Sequence, residues 1–151
     1  MSEWSKKSAQ TFQAIKDERL VKDRKALQDE ELCKRLAPEI WQELVNLFKQ
    51  KCSEFNREPG MANTFSFSAG MNDFLVTQGT EKFKAKFNSG SRQIQFDSST
   101  WNPHQFGLEI RVADGRSKPE LVFKSNPVEL ESFANDHLES LLGIGQNSSR
   151  Y

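Results

Sequence analysis

The chain has 151 residues, a length for one domain or one domain with an arm. Its 21 Lys and Arg balance 21 Asp and Glu, so no global field favours nucleic acid or an anionic membrane. The hydrophobic fraction is only 36%, yet 12 Phe and 3 Trp supply the bulk for a core and exclude wholesale disorder.

Charge divides the chain into three blocks. Residues 1–58 carry 12 basic and 11 acidic side chains, residues 59–125 carry 8 and 6, and residues 126–151 carry 1 and 4. Within the first block, 13 of the 20 residues from Lys16 to Arg35 are charged, with thin apolar support from Leu20, Val21, Leu27 and Leu32. A helix so polar draws its stability from side-chain pairs such as Glu18–Lys22 and Glu30–Lys34, or from a partner. Leu20 and Leu27 stand one heptad apart, but Lys34 interrupts the repeat, against a regular coiled coil. Residues 1–37 therefore read as a charged helical arm.

Pro38 suits the first turn of a new helix better than a helix interior. After it, Ile40, Leu44, Leu47, Phe48, Cys52 and Phe55 recur at spacings of three and four, with Trp41 and Val45 widening the stripe. This pattern predicts an amphipathic helix ending before Pro59-Gly60.

From Phe65 onward the period changes to two. Phe65 and Phe67, Phe74 and Val76, Phe83 with Ala85 and Phe87, Ile94 and Phe96, Phe106 through Val112, and Leu121 with Phe123 form the apolar members of six short runs. Gln78-Gly79, Asn88-Ser89-Gly90 and Asp114-Gly115 fall between them as turns. The pattern predicts an antiparallel meander of about six strands, apolar on one face and wet on the other. Asn126, Pro127 and Glu129 then read as N-cap, first-turn proline and capping-box acid of a helix ending at Gly143. Two flanking helices covering the Phe-rich face make an α+β fold, with the helix–sheet–helix domain spanning residues 38–143 and a flexible tail at 144–151.

Chemistry is sparse. Walker A, HExxH and CxxC patterns are missing, and no metal or cofactor is expected. The longest apolar runs are three residues, so no membrane span is expected. Cys33 and Cys52, about 28 Å apart on a continuous helix, read as free thiols of a cytoplasmic protein.

The polar stretch 97–105 holds Trp101, Asn102 and His104, with Asp97, Ser98 and Ser99 nearby. It presents three possibilities: an enzyme site, an exposed aromatic anchor for a partner, or a connection in which Trp101 closes the edge of the core. Lys82, Lys84 and Lys86 form a basic stripe on the wet face, with Arg111 on the same face. Phosphate binding and simple solvation compete there, and the missing interleaved aromatics disfavour nucleic acid. His137 sits on the border of the C-terminal helix's apolar face. The sequence expectation is thus a non-catalytic protein that binds a protein partner or a second copy through the arm or the 97–105 loop. The alternative is a carrier holding an apolar ligand between sheet and helices.

Overall fold

The computed structural model describes residues 3–113 and 115–144. Asp114 of the expected turn, and all of the expected tail except Ile144, lie outside these residues. The elements are α1 (Glu3–Asn56), β1 (Ser66–Ala69), β2 (Asp73–Gln78), β3 (Glu81–Asn88), β4 (Gln93–Ser98), β5 (Gln105–Val112), β6 (Pro119–Phe123), β7 (Asn126–Pro127) and α2 (Leu130–Leu141). The seven strands form one sheet in sequence order, every neighbour antiparallel.

The α+β architecture agrees with the sequence pattern, with three differences of detail. First, one helix replaces the expected two: α1 runs unbroken through Pro38. An interior proline removes one backbone hydrogen bond and costs about 3 kcal/mol. Pro38 is on the exposed side, while Cys33, Ala37 and Trp41, one turn apart, are buried on the other. Packing of that face carries the helix across the proline, and the body therefore begins at Cys33, ahead of residue 38.

Second, Asn126 and Pro127 do not open α2. They extend the chain as the edge strand β7, paired with Phe123 and Val122, a position that tolerates the missing proline N–H. The cap passes to Glu129, whose carboxylate accepts from the backbone N–H of Glu131 at 3.2 Å and of Ser132 at 2.7 Å. Third, β7 raises the strand count to seven. At its other end α2 closes as expected: Gly143 (φ +77°) donates to Ser140 O and Ile144 to Glu139 O, each at 3.0 Å, the paired bonds of a left-handed helix cap.

Both helices cover the same sheet face. Phe48 of α1 lies 5.2 Å from Phe83 of β3, and Phe133 of α2 lies 6.3 Å from both rings. The two-residue period places Phe74, Phe83, Ala85, Ile94, Phe96, Leu108, Ile110 and Leu121 inward, all buried. Asn56 at the end of α1 ties the helix to the sheet: its amide donates to Phe65 O at 2.8 Å and accepts from Phe65 N at 2.9 Å.

Candidate interaction surfaces

The 97–105 stretch is held by the body at nearly every step. Trp101 is only 1% exposed and packs against His137, ring centres 4.2 Å apart and planes tilted by 44°. The exposed aromatic anchor is therefore not there; the indole fills the gap between the loop and α2. Ser140 of α2 donates to Thr100 Oγ1 at 2.7 Å, and Ser99 Oγ donates to Glu81 at 2.7 Å while accepting from Lys82 N at 2.8 Å. The peptide bond between Asn102 and Pro103 is cis. His104 is exposed, and its Nδ1 meets the backbone carbonyl of Ser98 at 2.9 Å. The ring is thus engaged by a carbonyl, and Asp97 points to the wet face opposite Lys84. Serine, histidine and aspartate do not converge as a nucleophile, base and orienting acid require.

His137 is fully buried, more deeply than a border position implies. Phe83, Phe106 and Phe133 lie 4.7, 5.3 and 4.5 Å from it, with Trp101 closing the cage. Burial among these rings pushes its pKa down to about 3, so the imidazole is neutral at physiological pH. The same burial raises the thiols, Cys52 to about 12. Both cysteines are free and buried. Among the described residues, no three His, Cys, Asp or Glu side chains gather as metal ligands do.

Lys82, Lys84 and Lys86 all stand exposed on the wet face of β3. The register sets Asp97 directly opposite Lys84 and Asp73 directly opposite Lys86. Directly opposed side chains on a sheet are near neighbours, so two of the three lysines face an acid, while Lys82 stands opposite Thr77. Arg111 does not join it. It lies two strands away, past the last β4–β5 pair, where its guanidinium donates to Ser125 Oγ and faces Glu109 at 4.0 Å. The four cations are thus not one anion site.

The interior face of the sheet is filled. Phe48, Phe74, Phe83, Phe96, Trp101 and Phe133 are among the largest fully buried side chains, at the spacings of direct ring contact. The concavity of greatest volume among those found, about 620 Å³, lies outside this core. It is an open groove between α1, β6 and the start of α2, with Ile40, Leu47, Val128 and Leu130 in its floor. Glu43, Glu120, Glu129 and Glu131 line it as well, but Lys51 pairs with Glu131 at 3.3 Å, Arg116 faces Glu120 at 3.9 Å, and Glu129 caps α2. The backbone and side-chain hydrogen bonds from Ser132 hold the Glu129 carboxyl below its ordinary pKa, keeping it charged.

The most exposed apolar side chains belong to α1. Every residue from 3 to 28 except Ser5 is exposed, including Trp4 at 75%, Phe12 at 60%, Val21 at 66% and Leu27 at 62%. This segment extends about 40 Å. Glu30 marks its base, pairing with Lys34 at 3.6 Å and reaching Arg92 before β4 at 3.8 Å. Along the arm, Lys25–Asp29 at 3.4 Å and Gln13–Asp17 at 3.1 Å are one-turn pairs that support an otherwise unpacked helix.

Sequence reading found the arm but not the groove. Its glutamates come from α1, β6, the β7–α2 connection and the first turn of α2, segments with no shared local pattern. Among the described residues, no helix is long and apolar enough to cross a membrane. No family model, curated protein or solved structure matches this chain.

Proposed function

We propose that the protein is a non-catalytic interaction protein whose working surface is the protruding part of α1. The supporting observation is the exposure of six large apolar side chains, Trp4, Phe12, Ile15, Leu20, Val21 and Leu27, on a helix that touches the body only from its base onward. A helix this polar buries little of its own surface, and burying such side chains against a partner supplies what charge pairs do not. The lysine stripe, two of whose three members face an acid across the sheet, gives no comparable reason to invoke nucleic acid. The unpaired, buried thiols agree with a reducing compartment, the cytoplasm.

A photo-crosslinking residue replacing Phe12 tests this in the cells that make the protein. Covalent adducts with protein are expected from position 12 and not from position 84 on the wet face. Equal yields at the two positions, or none at position 12, would remove the arm as the working surface.

A further inference from the structure

We propose that the open edge of β1 takes up an extended segment of a partner protein, one that presents an apolar side chain with an acidic residue two positions to either side. This site lies at the other end of α1 and does not depend on the role of the arm.

Among the described residues β1 (Ser66–Ala69) ends the sheet, with β2 on one side and no strand on the other. The Gly70 N–H donates to Asp73 O at 2.9 Å, and hydrogen-bonded pairs alternate along an antiparallel ladder. Ser68 and Ser66 therefore bond to β2, while Phe67 and Ala69 turn N–H and C=O outward. Phe65 shares their direction, and there the Asn56 amide already donates to its carbonyl and accepts from its N–H. Asn56 thus makes the two bonds of a neighbouring strand at Phe65, and the edge beyond it is open. Exposed edges are commonly guarded by Lys, Pro or a bulge. The opposite edge, β7, carries Pro127, whereas Ser66-Phe67-Ser68-Ala69 carries neither charge nor proline.

Beside this edge a cleft of about 350 Å³ runs between β1 and α1. Cys52, Phe65 and the half-buried Phe67 supply its apolar part, and the exposed Lys49, Ser53 and Arg57 its helix side. No acid lines it. Among the described residues neither Lys49 nor Arg57 is in an ion pair. At 100° per residue Glu54 lies on the far side of α1, where it accepts from Gln50 at 2.9 Å.

The spacing of the cations sets the pattern of the partner. Arg57 continues the last turn of α1, its N–H bonded to Glu54 O, so Lys49 and Arg57 stand about 12 Å apart along the helix. On a strand, one face takes every second residue, and the first and fifth residues are about 13 Å apart. An incoming strand that sets an apolar side chain against Phe67 therefore brings the residues two before and two after it to the two cations. Carboxylates match both places, and the pattern reads the same in either chain direction. A second copy pairing through its own β1 would instead set cations against cations, with no acid in Ser66–Ala69 to offer.

Nuclear magnetic resonance of the full-length protein with the capped peptide Glu-Thr-Val-Thr-Glu tests this. At peptide concentrations on the order of 1 mM, the Phe67 and Ala69 amides are expected to shift, and Lys-Thr-Val-Thr-Lys is expected to leave them unmoved. Lys49→Glu with Arg57→Glu is expected to weaken binding of the acidic peptide at least about tenfold and to bind the basic one instead. A misfolded variant does not give that reversal. Ala69→Pro removes one outward N–H where an edge strand tolerates proline, and it is expected to abolish binding with the circular dichroism unchanged. No shift with the acidic peptide, equal shifts with both peptides, or undiminished binding in either variant overturns the proposal. A dimer of the unaltered protein that Ala69→Pro dissociates would give the edge to a second copy and overturn the acidic segment as its occupant.

Discussion

His137 shows how much a single side chain depends on its cage. The folded protein holds it neutral, with its pKa down at about 3, because charging it would place an ion among four aromatic rings. In the unfolded chain the imidazole takes a proton near pH 6.5. Between these two values the unfolded state binds one more proton, so stability falls as pH is lowered through that window, by up to about 1.4 kcal/mol per pH unit. His137→Leu removes the proton site while keeping an apolar side chain of similar size. Its thermal midpoint is expected to drop less than that of the unaltered protein between pH 6.5 and pH 4.5. Parallel declines would show that other groups govern acid unfolding.

Helix α1 sets local propensity against tertiary packing, and packing prevails at Pro38. Cys33, Ala37 and Trp41 lie on one face and are all buried, and Trp41 stacks on Phe74 and Phe87 at 5.6 and 5.5 Å. Pro38→Ala supplies an N–H for the Lys34 carbonyl and relieves the ring's clash with the preceding turn. It is expected to stabilise the protein by about 1–3 kcal/mol in urea unfolding. A loss of stability would mean that the packing of Cys33 and Trp41 requires the helix geometry that proline imposes. At α2 the competition runs the other way: Asn126 and Pro127 suit a helix start, but pairing with β6 takes them first.

The whole molecule consists of a packed body and a helix that leaves it. Removing residues 1–28 spares the Glu30–Arg92 contact and the burial of Cys33. It also leaves Asp29, Glu30 and Glu31 in the first turn of the shortened helix, where negative charge suits the macrodipole. The chain lacking residues 1–28 is expected to unfold within a few degrees of the full-length protein, measured by circular dichroism. A collapse of the cooperative transition would make the arm part of the folded core.

Elements with strong periodicity are legible in the chain alone. Alternation in runs such as Lys82-Phe83-Lys84-Ala85-Lys86-Phe87 dictates both strand and facing, because a sheet sends successive side chains to opposite sides. The three-and-four spacing from Ile40 to Phe55 likewise dictates a helix and its inner face, and the charge density of residues 16–35 leaves that segment too polar for a core. Which candidates meet depends on how distant segments pack. Trp101 goes inward because α2 presents His137 to it, Arg111 stands apart from the lysines because two strands and an offset separate them, and the acidic groove exists because α1, β6 and the β7–α2 connection converge. Those outcomes depend on contacts between segments distant in sequence, and local periodicity carries no information about which distant segment will be adjacent.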